Sequence, residues 1–324
     1  MNKLKKIGLT ALAGSLVATS VFAGEMSVSG SAGITFAGQD KKQSGNGWTM
    51  SDEITFAGSG EMDNGWNVSV SMQLDDNASG STGSNMDNRS IKIDMGEVGT
   101  VSFVGHGGDS AMSAVDDMMP HADGNETWDT IGATDGIGSV AKLTSLSGAT
   151  ANNMMSYTNT AMDGVSFTAS MTPSDATVGE TTTSFAVAYT GVDGLTLGYA
   201  IDENGAVGAT QADYKTMYAK YAISGFTVGY QKSDESSDTA ASNDEFVAYG
   251  VSYAVSDDMT VSYNESEIDP AGVALDQESS SFAVSYTMGS MKFVGAMVTM
   301  DNVGGSNLAV NDTQGYEFGV SFAF

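Results

Sequence analysis

The sequence predicts an all-β protein, a 16-stranded antiparallel transmembrane β-barrel. Two observations lead to this prediction. Apolar and small polar residues alternate along many segments, and short and long connectors alternate between those segments. A third observation agrees with them, because charged residues are nearly missing from the apolar positions of these segments. A Lys or Arg that faced lipid at the bilayer midplane would cost about 2–4 kcal/mol.

The alternation has the period of a β-strand. Successive side chains of a strand point to opposite faces, so every second residue shares a face. In each run one face is apolar and the other consists mostly of small or polar residues. A soluble β-sandwich and a membrane barrel both predict this pattern, so alternation does not separate them. The clearest runs are Trp66–Leu74, Val165–Met171, Leu195–Ile201, Val247–Tyr253 and Tyr316–Phe324.

The lengths of the connectors favour the barrel. Seven short turns, such as Asp63–Gly65 and Val192–Gly194, alternate with eight long polar segments, and fifteen connectors join sixteen strands. Bacterial outer-membrane barrels have short turns on one rim and long loops on the other. All three prolines lie in the long segments, where no ladder hydrogen bond is lost. These segments are Gly38–Gly47, Asp75–Asn88, Gly105–Ala149, Thr172–Glu180, Glu203–Thr210, Lys232–Asn243, Ser266–Gln277 and Asp301–Thr313.

Composition excludes several classes of protein. The 324 residues include no cysteine, which removes disulfides, thiol nucleophiles and Cys-ligated metals. Twelve basic residues against 40 acidic ones give a net charge of −28, which argues against a nucleic-acid partner. No apolar stretch after residue 23 is long enough for a transmembrane helix.

The first 23 residues are predicted to be a signal peptide. Lys3, Lys5 and Lys6 precede an uncharged stretch, and Val21 and Ala23 place small residues at the −3 and −1 positions of a cleavage site. The predicted barrel domain then comprises residues 24–324.

The sequence resembles the general diffusion porins of Gram-negative outer membranes, particularly the alphaproteobacterial type. The resemblance rests on the segments Met26–Phe36, Trp66–Leu74 and Tyr316–Phe324, the last of which ends on a C-terminal Phe. It implies a barrel, usually a homotrimer, that passes small hydrophilic solutes and ions by passive diffusion. It also implies outer-membrane lipid and lipopolysaccharide as surroundings, and a third long loop folded into the lumen.

The longest connector, residues 105–149, matches the constriction loop of that family in position, since it follows the strand Thr100–Val104. Its apolar spacing from Ser110 to Met119 predicts a short helix with Ser110 as N-cap, packed on the inner wall. The alternative is an external lid that does not enter the pore. Carboxylates inside a narrow lumen would favour cations. The predicted acidic constriction residues are Asp109, Asp116, Asp117, Asp123 and Glu126.

In the family the acidic loop faces arginines on the barrel wall, whereas Arg89 is the only arginine in this chain. Arg89 and Lys92 are predicted to oppose the loop. Lys92 has the parity of the lumen face if Ile91 and Ile93 face lipid, while Arg89 has the other parity but lies at the end of its strand. Lys220 also has the lumen parity. We therefore expect a weaker transverse field than is usual in the family, and a stronger preference for cations.

Three alternatives accompany this interpretation. The barrel could be structural or adhesive with a plugged lumen, or it could be a hydrolase that uses His106 or His121, although no nucleophile motif accompanies either histidine. Asp123, Asn125 and Asp129 could also bind a structural Ca²⁺, although the segment lacks the features of an EF-hand. The leading expectation is a channel that is not an enzyme and needs no cofactor.

Overall fold

The computed structural model describes residues 24–40, 47–75, 86–115, 117–122, 146, 150–174, 180–205, 212–237, 243–273, 275–306 and 312–324. Within them, sixteen antiparallel strands form a closed barrel. The predicted fold class and strand number are therefore confirmed. Residues 1–23, the predicted signal peptide, lie outside the described residues.

The strands are numbered along the chain, and β6 and β7 form a separate two-stranded ribbon. They are β1 (Met26–Gln39), β2 (Gly47–Glu61), β3 (Asn67–Asp75), β4 (Met86–Asp94), β5 (Thr100–His106), β6 (Gly108–Asp109), β7 (Thr150–Ala151), β8 (Met154–Asn159), β9 (Val165–Thr172), β10 (Thr182–Val192), β11 (Leu195–Glu203), β12 (Ala212–Ile223), β13 (Phe226–Ser237), β14 (Glu245–Ala254), β15 (Met259–Asp269), β16 (Gln277–Met288), β17 (Met291–Asp301) and β18 (Thr313–Ala323).

The barrel closes between its first and last strands. β1 pairs with β18 from Ser31 opposite Ala323 to Gln39 opposite Gly315. The C-terminal Phe324 extends this ladder, because its backbone N–H donates to the carbonyl of Gly30 and its carbonyl accepts from the N–H of Gly30, both at 2.9 Å. No strand edge remains in the ring, so the backbone polar groups of the wall are paired within the wall.

The predicted alternation separates an apolar outer face from an inner face of small and polar residues. β16 illustrates this pattern: Phe282 and Tyr286 are exposed on the outside, whereas Ser281, Ala283 and Ser285 are buried on the inside. The apolar residues are therefore placed where hydrocarbon would contact them.

The seven short turns occur where they were predicted, but several strands are longer than expected. β13 continues to Ser237 and β15 to Asp269, into segments that were predicted to be loops. The polar residues there do not end these strands, because backbone pairing of β13 with β12 and of β15 with β14 continues through them. On the outer side, Lys232 Nζ lies 2.6 Å from Glu245 Oε2 on the adjacent strand.

Strand length differs around the barrel. β2 has 15 residues, whereas β5 has seven and β8 has six. The wall is therefore low where the chain leaves β5 and returns to β8. Among the described residues, no helix is long and apolar enough to cross a membrane.

Candidate functional site

The chain turns to the inside of the barrel after β5. The backbone N–H of Gly107 donates to Asn152 Oδ1 at 3.2 Å, and the β6–β7 ribbon joins the two ends of the loop. The following residues, 110–122, contact side chains on the inner face of the wall. We call residues 110–122, of which 116 lies outside the described residues, the inner segment.

Wall side chains accept hydrogen bonds from backbone N–H groups of the inner segment. Serines on β9, β10 and β15 and a glutamine on β13 provide the acceptor oxygens, and all four have the parity opposite to the exposed apolar residues of their strands. The hydrogen bonds run from the N–H of Ala111 to Ser170 Oγ (2.9 Å), of Met112 to Ser184 Oγ (2.8 Å), of Met118 to Gln231 Oε1 (2.9 Å) and of Ala122 to Ser262 Oγ (2.8 Å). In addition, Ser110 Oγ donates to Asp202 Oδ2 on β11 at 3.2 Å.

These hydrogen bonds explain why the predicted short helix does not form. The described part of the inner segment contains only one 3₁₀ turn, Ser113–Val115. Ser110 does cap it, because its Oγ accepts the N–H of Ser113 at 3.0 Å. A helix that continued to Met118 would bond its N–H to the carbonyl of Ala114, but this N–H is bound to Gln231 of the wall, so tertiary contacts override the helical spacing of the apolar residues.

Apolar side chains seat the inner segment on the wall. Met112 is fully buried, and Met119 packs on a cluster that contains Phe246, Ile268 and Leu146. Ala122 forms a second small cluster with two alanines of β16 and β17. The wall has a glycine, Gly229, where Pro120 packs on it. A Cβ at this position would lie 2.8 Å from Cδ of Pro120, too close for an ordinary contact.

His121 is a buried polar contact between the inner segment and β15. Its Nδ1 lies 3.1 Å from Nδ2 of the fully buried Asn264, and its Nε2 lies 3.9 Å from Asp117 Oδ1. Burial lowers the pKa of His121 from 6.5 to about 4. The imidazole is therefore neutral at pH 7, with Nδ1 as acceptor of the Asn264 amide and the Nε2–H on the side of Asp117.

The structure describes two of the five predicted acidic constriction residues. Asp109 is exposed in β6, and Asp117 lies in the inner segment with 33% of its side chain exposed. Lys220, on the inner face of β12, is close enough to Asp117 for their charges to interact. The other predicted residues lie outside the described residues: Asp116, Asp123 and Glu126, together with the calcium candidates Asn125 and Asp129.

The two predicted basic residues of the wall lie on different faces. Lys92 is in register with Ser69 and Ser102 and faces the lumen, as predicted from its parity. Arg89 is in register with the exposed Met72 and borders an outer depression lined by Val70 and Ile91. Placing Arg89 opposite the acidic loop is therefore wrong. The alternation of β4 continues as far as Arg89. The Arg89 side chain therefore has the same outward direction as Ile91, although it lies near the end of the strand.

The two histidines do not form one site. His106 lies in register with Arg89 on the β4–β5 ladder, whereas His121 lies among inner-wall side chains. The sequence interpretation missed the wall residues that bind the inner segment. Each of these wall residues is a small or polar residue of lumen parity, which the sequence does show. Many other residues share that property, and only the fold shows which of them contact the inner segment.

Replacing Ser184 by Ala should weaken the attachment of the inner segment. The N–H of Met112 would lose its acceptor in a buried place, at a cost of about 1–3 kcal/mol. Hydrogen exchange of the Met112 amide should become faster, whereas Ser166→Ala, on the inner face of β9 without a described contact to the segment, should leave it unchanged. Equal exchange in wild type and Ser184→Ala would contradict the role of this serine.

Acid should also weaken this attachment, through His121. The His121 imidazole would have a pKa near 6.5 in a released segment and has a pKa of about 4 in the docked segment. The neutral imidazole therefore stabilises the docked segment fully above pH 6.5, and this stabilisation is lost as the pH falls towards 4. At pH 5 the loss relative to pH 7 is about 1.8 kcal/mol, or roughly twentyfold in exchange protection of the Ala122 amide. His121→Gln should remove this pH dependence and His106→Gln should keep it. A wild-type protection that is flat between pH 7 and pH 5 would refute the assignment.

Comparison with known proteins agrees with the closed barrel. A family model described as Gram-negative porin matches residues 8–306. The anion-selective porin from Comamonas acidovorans superposes with a TM-score of 0.69 at 14% identity, over 93% of this chain and 99% of that chain. A triple mutant of the Rhodopseudomonas blastica porin superposes with a TM-score of 0.66 at 17% identity, over 93% of this chain and 100% of that chain. No curated protein matches by sequence. The chain belongs to the Gram-negative porin family and is an integral β-barrel of the outer membrane.

Proposed function

We propose that this porin forms a water-filled, cation-preferring channel for the passive diffusion of small hydrophilic solutes. The observation that carries the proposal is the inner segment, which lies against the inner wall and holds the partly exposed carboxylate of Asp117. A carboxylate in a lumen with low-dielectric walls acts through a focused field, which concentrates cations and repels anions.

Fold similarity does not decide which ions the channel prefers. One of the superposed structures is an anion-selective porin, at 14% identity. Preference depends on the charges that line the path, and here the sequence is strongly acidic, with 40 acidic residues against 12 basic ones. Carboxylates at a constriction are the usual source of cation preference in pores.

Asp117 and Lys220 allow a test with opposite outcomes. In planar bilayers under a KCl gradient, we expect a reversal potential that favours K⁺, and a K⁺/Cl⁻ permeability ratio that Asp117→Asn lowers by about two- to fivefold. Lys220→Gln removes the neighbouring positive charge and should raise the ratio. High salt should reduce both effects by screening. A wild-type preference for Cl⁻ would contradict the proposal, and the absence of conductance steps would favour a plugged, structural barrel.

We also propose that three copies associate through the low part of the wall. A strand of seven residues inclined at about 45° rises roughly 17 Å, against an apolar band about 25 Å tall. In lipid, such a wall would leave loop backbone at hydrocarbon depth, where its polar groups have no partners. Arg89 on the outer side of this region would also face lipid unless protein covers it. A second copy of the chain satisfies both requirements.

The association can be tested with matched tryptophan variants. Ile91, on the outer face of β4, belongs to the low wall, whereas Phe282 lies on the outer face of the taller β16. Ile91→Trp should overpack the contact between copies, at about 1–3 kcal/mol per copy, while Phe282→Trp should be tolerated by lipid or detergent. Light scattering of the purified protein should give three copies for wild type and Phe282→Trp, and fewer for Ile91→Trp. A monomeric wild type would contradict the association.

A further inference from the structure

The wall across the lumen from Lys220 carries a carboxylate at mid-strand. Glu53 lies in the middle of the 15-residue β2 and has lumen parity, because its neighbour Ile54 is exposed on the outer face. In the ring of sixteen strands, β12 is the eighth strand from β2 in either direction. Glu53 therefore lies on the wall opposite Lys220. Asp117 of the inner segment is on the Lys220 side, since the charges of these two residues interact.

Hydrogen bonds from both neighbouring strands, β1 and β3, fix the Glu53 carboxylate. Ser31 Oγ on β1 donates to Oε1 at 3.1 Å, and Gln73 Nε2 on β3 donates to Oε2. Gln73 Oε1 in turn accepts from Asn88 Nδ2 on β4. An ionised carboxylate only accepts hydrogen bonds, so this set of donors suits the anion and holds its direction.

The charges around Glu53 are mostly of the same sign. Asp75 is directly opposite it in register on β3, and like charges in such a pair are destabilising. Among the described side chains on the inner faces of β1–β4, Lys92 is the only basic one. The acidic ones are Glu53, Glu61, Asp75 and Asp94. A local arrangement that costs stability is expected at functional sites rather than elsewhere.

We propose that Glu53 is a selectivity-determining residue and forms a second acidic boundary of the ion path, across the lumen from Asp117. This inference rests on the proposed channel function. A cation that passes between the two carboxylates is attracted from both sides, whereas an anion meets Lys92 as the only described basic side chain on the inner faces of β1–β4. The ion path is therefore acidic on both sides, instead of having a transverse field between an acidic loop and a basic wall.

Two adjacent residues provide a matched test. Glu53→Gln and Asp52→Asn each remove one negative charge from the middle of β2, but Asp52 has the parity of the outer face, in register with Ala32. In planar bilayers under a KCl gradient, Glu53→Gln should lower the K⁺/Cl⁻ permeability ratio by about two- to fivefold, and Asp52→Asn should leave it at the wild-type value. Heat-dependent mobility in detergent gels checks that each barrel is folded.

The outcomes separate this inference from the proposed function. A wild type that prefers K⁺ together with an unchanged ratio in Glu53→Gln would overturn the role of Glu53 and leave the channel function standing. A wild type that prefers Cl⁻ or does not conduct would overturn both. Should Glu53→Gln fail to fold, Ser51→Lys places a positive charge on the same inner face and keeps Glu53. It should also lower the ratio, and no change would show that this wall does not border the ion path.

Discussion

The pairing of backbone polar groups without water is the constraint on which the rest of this structure depends. Hydrocarbon offers no hydrogen-bond partners, so each strand of the wall must be paired on both sides. Closure between β1 and β18 meets this condition and leaves no edge. The period-2 placement of apolar residues follows from it, because a paired strand has only two faces, one towards lipid and one towards the lumen.

The same constraint reappears inside the barrel in another form. The described part of the inner segment joins no strand ladder, so the N–H groups that are not bonded within the segment itself need partners from side chains. Ser170, Ser184, Gln231 and Ser262 provide them from four strands of the wall. The polar residues of the inner face therefore have two uses: some are covered by the segment and hold it in place, and others remain available to line the water-filled path.

The position of a charge matters more here than the number of charges. Arg89 and Lys92 are three residues apart on β4, yet Arg89 is on the outer side and Lys92 on the lumen side. Asp52 and Glu53 are adjacent and also face opposite ways. A net charge of −28 describes the whole chain, whereas the field in the lumen depends only on the charged residues that face it and on the low-dielectric wall that confines their field.

The sequence by itself determined the strand period, the seven short turns, the number of strands and the lumen parity of Lys92, because each follows from local alternation or from connector length. It did not determine the outward position of Arg89, the loss of the helix after Ser110 or the carboxylate held by Ser31 and Gln73. Those features depend on which strands are neighbours and on which wall residues the third loop reaches. Such contacts join residues 20 to 140 positions apart, as in the bonds of Glu53 to Gln73 and of Ala122 to Ser262, and only the closed barrel brings them together.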